Sequence, residues 1–137
     1  MIYGVSFSPE LILSAKADKA AFGGDNRVNW SGTSAGGVTN EICDLIESAN
    51  EQTMRFEFVG GITGDKIKRA LKDKNCKFYE KQGENTLQIE VDCGKTTLFT
   101  GNLTNFEIND EEVSPLARDL GKLPKNSLLL FPEKLSG

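Results

Sequence analysis

Four short stretches of this 137-residue chain carry residue types and spacings that can do chemistry. Gly36-Gly37-Val38-Thr39-Asn40 opens a predicted helix; its paired glycines let a ligand approach the backbone closely, and Asn40 can reach a hydroxyl. Gly60-Gly61-Ile62-Thr63-Gly64 falls between a predicted strand and a predicted helix, where backbone N–H groups can face an anion. A dinucleotide fingerprint would need a glycine where Val59 stands, so a tight strand-to-helix turn explains these glycines equally well. Gly94-Lys95-Thr96 has the tail of a phosphate loop, but Ile89 occupies the place of that loop's first glycine, and the triplet falls in a predicted hairpin. Residues 65–81 hold seven cations and three acids, the pattern of a solvated helix face. Only Phe78 and Tyr79 interleave with them, too few aromatics for a nucleic-acid platform.

Composition narrows the chemistry further. The chain has no histidine, which removes any mechanism built on a histidine base or histidine metal ligands. Cys43, Cys76 and Cys93 are an odd number, far apart, with no C-x-x-C pair, so they read as reduced thiols rather than a disulfide framework or a zinc site. Sixteen basic against 20 acidic residues give a net charge of −4, against a nucleic-acid partner. The opening Met1–Phe7 has neither a basic segment nor a long apolar run, so we expect no signal peptide, no membrane span and a cytoplasmic location.

The elements that must position these stretches follow from periodicity. Ile2 to Phe7 reads as a strand with Tyr3, Val5 and Phe7 on one face, broken by Ser8-Pro9. Leu11 to Ala17 reads as a second strand, Gly23 to Asn26 as a turn, and Arg27 to Ser31 as a short strand. The Gly/Ser/Thr-rich stretch 32–40 leads into a helix over 39–49, with Ile42, Leu45, Ile46 and Ala49 inward and Glu41, Asp44, Glu47 and Ser48 outward. Met54 to Val59 alternates apolar residues with Arg55 and Glu57, a strand with one wet face. A helix over about 64–74 follows, then a strand at 76–79 and a hairpin in which Leu87, Ile89, Val91 and Cys93 alternate with polar residues. Asn109 to Glu112 has the spacing of a capping box; the helix starts either there, with Pro115 kinking it, or at a Ser114 cap with Pro115 in its first turn. Ser127 to Phe131 is an all-apolar strand suited to burial on both faces. The sum is one α/β domain with a parallel core sheet, flanking helices and an antiparallel appendage.

These pieces together resemble the N-terminal half of ribokinase-like sugar kinases, the phosphofructokinase B family, nearest to fructose-1-phosphate and tagatose-6-phosphate kinases. The residues that carry the resemblance are the opening Met1 to Pro9, the Asn26-Arg27 pair, Gly36-Gly37 with Asn40, and Phe58 to Asp65. Val91, Gly94 and the acidic 109–112 helix start also fall at family-like positions. The resemblance covers nearly the whole of residues 1–137 and implies a truncated ribokinase-like domain whose antiparallel β lid is drawn from about 11–31 and 76–104. It implies Arg27 facing a sugar phosphate, Asn40 a hydroxyl, and Gly36 and Gly37 lining the same pocket, with no metal ligands in this chain. The family uses ATP and magnesium.

The departures matter as much. Ile12 stands where the family's opening motif has an aspartate that holds sugar hydroxyls. Val38 and Thr39 replace the usual lysine or glycines, and Thr86 falls where a phosphate-facing arginine belongs. Family members are roughly twice as long, and their second half carries the nucleotide pocket, the anion hole and the catalytic aspartate. Phosphoryl transfer depends on positioning and on neutralising developing charge, and these residues supply neither. We therefore expect no catalytic residue and no cofactor in this chain. Three readings stand at this point: a non-catalytic protein that binds a partner or, weakly, a sugar phosphate; a split kinase needing a separate C-terminal half; and a structural interaction module. Homo-oligomerisation through the lid or an exposed sheet edge goes with each.

Overall fold

A computed structural model describes residues 1–18, 27–94, 96–103 and 108–131, with residues 96–103 through their backbone. Eleven elements are arranged as two sheets and three helices. The first sheet is wholly parallel, in the order β5-β4-β1-β8, from β1 (Ile2–Ser6), β4 (Thr53–Val59), β5 (Cys76–Glu80) and β8 (Leu128–Leu130). The second sheet is ordered β3-β2-β6-β7, from β2 (Glu10–Ala17), β3 (Val28–Gly36), β6 (Thr86–Cys93) and β7 (Thr96–Leu103). The helices are α1 (Val38–Ser48), α2 (Gly61–Ala70) and α3 (Asp110–Leu120). The turn expected at Gly23 to Asn26, the Asn26 of the Asn26-Arg27 pair and Lys95 lie outside the described residues.

The strand alternation of the opening segment and of β4 builds one core. Tyr3, Val5 and Phe7 of the first segment meet Met54, Phe56 and Phe58 of β4, Tyr79 of β5 and Leu116 of α3. The rings form a band, with Phe7 and Phe58 centroids 5.4 Å apart and Phe58 and Tyr79 5.3 Å apart. A second cluster joins Leu11 of β2, Val59 of β4, and Ile67 and Leu71 of the α2 segment, with Leu13, Ala35, Phe78 and Leu87 against it. It fixes the lid sheet to the core.

Several expectations are corrected. The segment 76–80 pairs with β4 and belongs to the core sheet, so the second lid segment begins only at Thr86. The lid is mixed rather than antiparallel: β2 runs parallel to β6, because each continues outward from a parallel core strand (β1 and β5), while β3 and β7 return. The glycine- and serine-rich stretch after Ser31 is strand as far as Gly36, because it pairs with β2 along its length. The second helix starts at Gly61, not Gly64, and ends at Ala70. Helix α3 takes the earlier of its two starts: Asn109 and Glu112 close the capping box, and Pro115 lies inside the helix. Strand β8 is not buried on both faces; Leu128 is 56% exposed.

The largest correction concerns β4 and α1. Arg55 and Glu57 are not on a wet face; they are 1% and 0% exposed. Helix α1 turns its polar side to the sheet, burying Thr39, Asn40 and Cys43, while Leu45 points outward at 71% exposure. The Arg55 guanidinium donates to Asn40 Oδ1 at 2.9 Å, to Asp44 Oδ1 at 2.6 Å and to the Glu47 carboxylate. Glycine is required at Gly4, where a Cβ would lie 2.9 Å from Cys43 Sγ. Burial pushes the Cys43 thiol up and the half-buried Cys76 thiol up to about 12, with the neighbouring Glu57 carboxylate acting the same way on both. Both therefore stay protonated at neutral pH.

Candidate functional site

The chain crosses between core and lid at Phe7 to Pro9, at Gly37 and at residues 81–85, and these crossings meet at the C-terminal ends of the parallel strands. In open α/β sheets that end is where ligands bind. Three residues form a row across the base of the lid: Gly36 of β3, Glu10 of β2 and Thr86 of β6 are directly paired neighbours. Ile12, Ser34 and Gln88 form the next row on the same face.

Hydrocarbon closes this corner. A Cβ on Gly36 would lie 2.4 Å from Ile12 Cδ1, so the isoleucine side chain lies directly over the glycine. Gly37 has φ +100, a left-handed conformation that favours glycine, and a Cβ there would lie 3.2 Å from the Ser8 carbonyl oxygen. Asn40 is fully buried. Its Nδ2 donates to the Gly36 carbonyl at 2.9 Å and to Glu57 Oε2 at 3.4 Å, while its Oδ1 accepts from Arg55. Both amide protons and one acceptor position are thus engaged within the protein. Among the paired residues of β2 and β6 on the face that continues from this corner, the charged side chains are Glu10, Lys16, Glu90 and Asp92, three acids and one base.

Of the four residues expected to form the pocket, Gly36, Gly37 and Asn40 come together. Arg27 does not join them. It is exposed and precedes β3, whereas Gly36 ends that strand, and nine residues of extended chain span roughly 30 Å. A groove of about 800 Å³ runs instead between β5 and α3, past Lys77, Tyr79, Lys81, Glu112, Arg118 and Asp119. Two of its polar side chains converge on a third: Tyr79 Oη donates to Asp119 Oδ2 at 2.6 Å, and Lys77 Nζ lies 2.5 Å from the same oxygen. The Lys77 and Tyr79 contacts hold the Asp119 carboxyl below its ordinary range.

Two residues that build the junction were invisible in the sequence. Glu84 caps α2: its carboxylate accepts from the Ile62 and Thr63 N–H groups at 3.0 and 2.8 Å and from the Thr63 hydroxyl. The N–H groups of the Gly60–Gly64 turn, which could have faced a ligand anion, meet a carboxylate of the chain itself, and these contacts lower the Glu84 carboxyl pKa. Asn85, only 3% exposed, ties three segments together. It accepts from the Gly60 N–H at 2.9 Å and donates to the Phe58 and Pro9 carbonyls at 2.9 and 3.2 Å. Its partners are backbone groups up to 76 residues away, so no spacing in the sequence marks it.

The comparisons with known proteins fit this geometry. Over 133 residues the chain is 24% identical to the 1-phosphofructokinase of Bacillus subtilis (strain 168), covering 96% of this chain and 43% of that protein. It superposes on phosphofructokinase-2 of Escherichia coli in complex with fructose-6-phosphate with a TM-score of 0.78 at 17% identity, covering 93% of this chain and 43% of that one. The fold is ribokinase-like, and the chain resembles the N-terminal half of a phosphofructokinase. The tetrameric inhibited form of the same E. coli enzyme gives a TM-score of 0.76 at 17% identity, again over 93% and 43%. No family model matches the chain. This ribokinase-like chain spans less than half the length of the relatives it matches. Among its described residues, no helix is long and apolar enough to cross a membrane.

Proposed function

We propose that this chain is a cytoplasmic, phosphofructokinase-like protein that does not transfer a phosphoryl group by itself and acts by binding. The observation that carries this reading is the closed corner: Ile12 lies over Gly36, and the Asn40 amide is engaged by Arg55, Glu57 and the Gly36 carbonyl. Nothing at the helix starts supports a nucleotide either: Glu84 fills the N-terminus of α2, and the N-terminus of α1, which follows Gly36-Gly37, opens on the closed corner. A sugar phosphate then binds weakly, through backbone at Gly36-Gly37 and without a cation from Arg27 of the same chain. The purified chain with ATP, magnesium and fructose 1-phosphate or tagatose 6-phosphate is expected to release ADP no faster than the buffer. Turnover that scales with protein concentration contradicts the reading.

The binding partner we favour is a second copy, met through the lid. Beyond the part of the lid that α2 covers, one face carries Val28, Trp30 and Ile89, which are 49%, 63% and 37% exposed. Trp30 lies directly opposite Ala15, and Val28 opposite Ala17, so they share a face. Covering such a patch removes apolar area from water. Sedimentation is expected to show a dimer or larger assembly that Trp30→Glu converts to monomer without loss of helix content. A wild-type monomer at 100 μM contradicts the lid contact.

A further inference from the structure

The groove between β5 and α3 takes no part in the closed corner, and its volume of about 800 Å³ is that of a small-molecule site. Helix α3 runs antiparallel to β5 along it. Glu112 accepts from the Gln82 N–H at 2.6 Å just past the end of β5, and Asp119 meets Lys77 near the start of that strand. The Lys77 end therefore lies toward the N-terminal ends of the parallel strands, away from the candidate site. Three cations stand there, Lys77, Arg118 and Lys122, with one carboxylate, Asp119. Asp119 Oδ2 already takes the Tyr79 hydroxyl and Lys77 Nζ. Arg118 and Lys122 are exposed and make no ion pair with a described residue.

The fold itself neutralises only part of this charge. The C-terminal end of α3 carries about half a negative elementary charge, so with Asp119 it offsets about half of the three cations. The other acids of the groove do not supply the rest. Glu80 turns to Lys68 at 2.8 Å, and Glu112 is held by the Asn109 and Gln82 N–H groups. Glu111 is ~10 Å from Arg118 along the helix axis, about a Debye length at physiological salt. A chain of net charge −4 thus keeps a local excess of cation in front of a cavity.

We propose that this end of the groove is a binding site for a small di- or trianion, a carboxylate or phosphate compound, held by Lys77, Arg118 and Lys122. Asp119 fixes Lys77 on the sheet side, and Arg118 and Lys122 reach the ligand from the α3 side. The Arg118 guanidinium offers a planar fork to paired oxygens, and the lysines offer point charges. The site stands apart from the closed corner and does not depend on whether that corner takes a sugar phosphate.

Calorimetric titration of the full chain with citrate and, separately, with pyrophosphate provides the test. Saturable one-to-one binding of at least one of them is expected, and which one binds tells carboxylate from phosphate. Arg118→Gln with Lys122→Gln, both exposed positions, is expected to weaken that binding at least tenfold with Tm unchanged. Arg27→Gln, in the lid, is expected to leave it as it was. In the unsubstituted chain the Tyr79 ring signals shift on titration while those of Tyr3 stay in place. Absence of saturable binding with both anions overturns the proposal. So does binding that survives the double substitution, binding lost with Arg27→Gln, or saturation that leaves the Tyr79 signals unmoved.

Discussion

Replacing Arg55 with alanine is expected to destabilise the protein by about 3–5 kcal/mol, the range for breaking a buried ion pair by removing one partner. For a chain of this size that corresponds to a fall in Tm of roughly 10–20 °C. The reason lies in what is left behind. Asn40 Oδ1 would lose its donor, and the Asn40 amide also donates to Glu57, which is fully buried two residues along the same face of β4. Asp44, at 56% exposure, and Glu47, at 26%, sit at the rim with Lys74 3.8 and 3.7 Å away, so they can turn to water and suffer less. The sign is checked by a second variant. Arg55→Met combined with Glu57→Leu removes both charges and keeps the volume, and is expected to recover more than half of the loss, because the desolvation penalty goes with the charges. Urea unfolding of the three proteins makes the comparison. A single-variant loss under 1 kcal/mol would mean that the network is solvated and that α1 is held by something else.

Asn85→Ala is the second large effect. It leaves the Gly60 N–H and the Phe58 and Pro9 carbonyls without their partner in a buried place, at about 1 kcal/mol or more each, near 3 kcal/mol in total. The loss is local as well as global. Asn85 joins the segment entering β2, the end of β4 and the segment entering β6, so its removal loosens the lid against the core before the core itself melts. Native-state hydrogen exchange is expected to speed up at Gly60 and across β2 and β6 while β1 and β4 keep their protection. Asn85→Asp should be no better, since a carboxylate would face two carbonyl oxygens where the amide had donors. Uniform acceleration over both sheets would show Asn85 to be an ordinary core residue rather than the pin of the junction.

What the sequence disclosed, and what it hid, follows from the range of the forces involved. Period-two alternation in Met54 to Phe58 and in Leu87 to Cys93 is a local signal, and both became strands, though the face expected to be wet in β4 is buried. Asn109 and Glu112 are three residues apart and form the capping box that the spacing announces. The hidden part is non-local. Arg55 and Glu57 look like a solvated stripe until Asn40, Asp44 and Glu47 arrive from another element to meet them. Glu41, Asp44 and Ser48 do lie on the outward side of α1, but Thr39, Asn40 and Cys43 are the buried ones and Leu45, read as inward, is left in water. The expected pocket shared this fate. Gly36, Gly37 and Asn40 are contiguous and came together, but Arg27 belongs to the far end of a strand that the sequence had made too short. The Gly60–Gly64 turn did meet an anion, and the sequence gives no sign that it would be Glu84 of the same chain.

The polar groups of the lid–core junction face inward and hold the scaffold, and Asn40 shows this most directly. The side-chain amide of Asn40 is followed by ¹⁵N NMR while fructose 1-phosphate is added to 20 mM. Its amide protons are expected to exchange slowly and its resonance to stay in place, with any shifts confined to backbone signals near Gly36 and Gly37. A saturating shift of the Asn40 amide, with protons that become newly protected on binding, would show that it grips the sugar and would contradict the account.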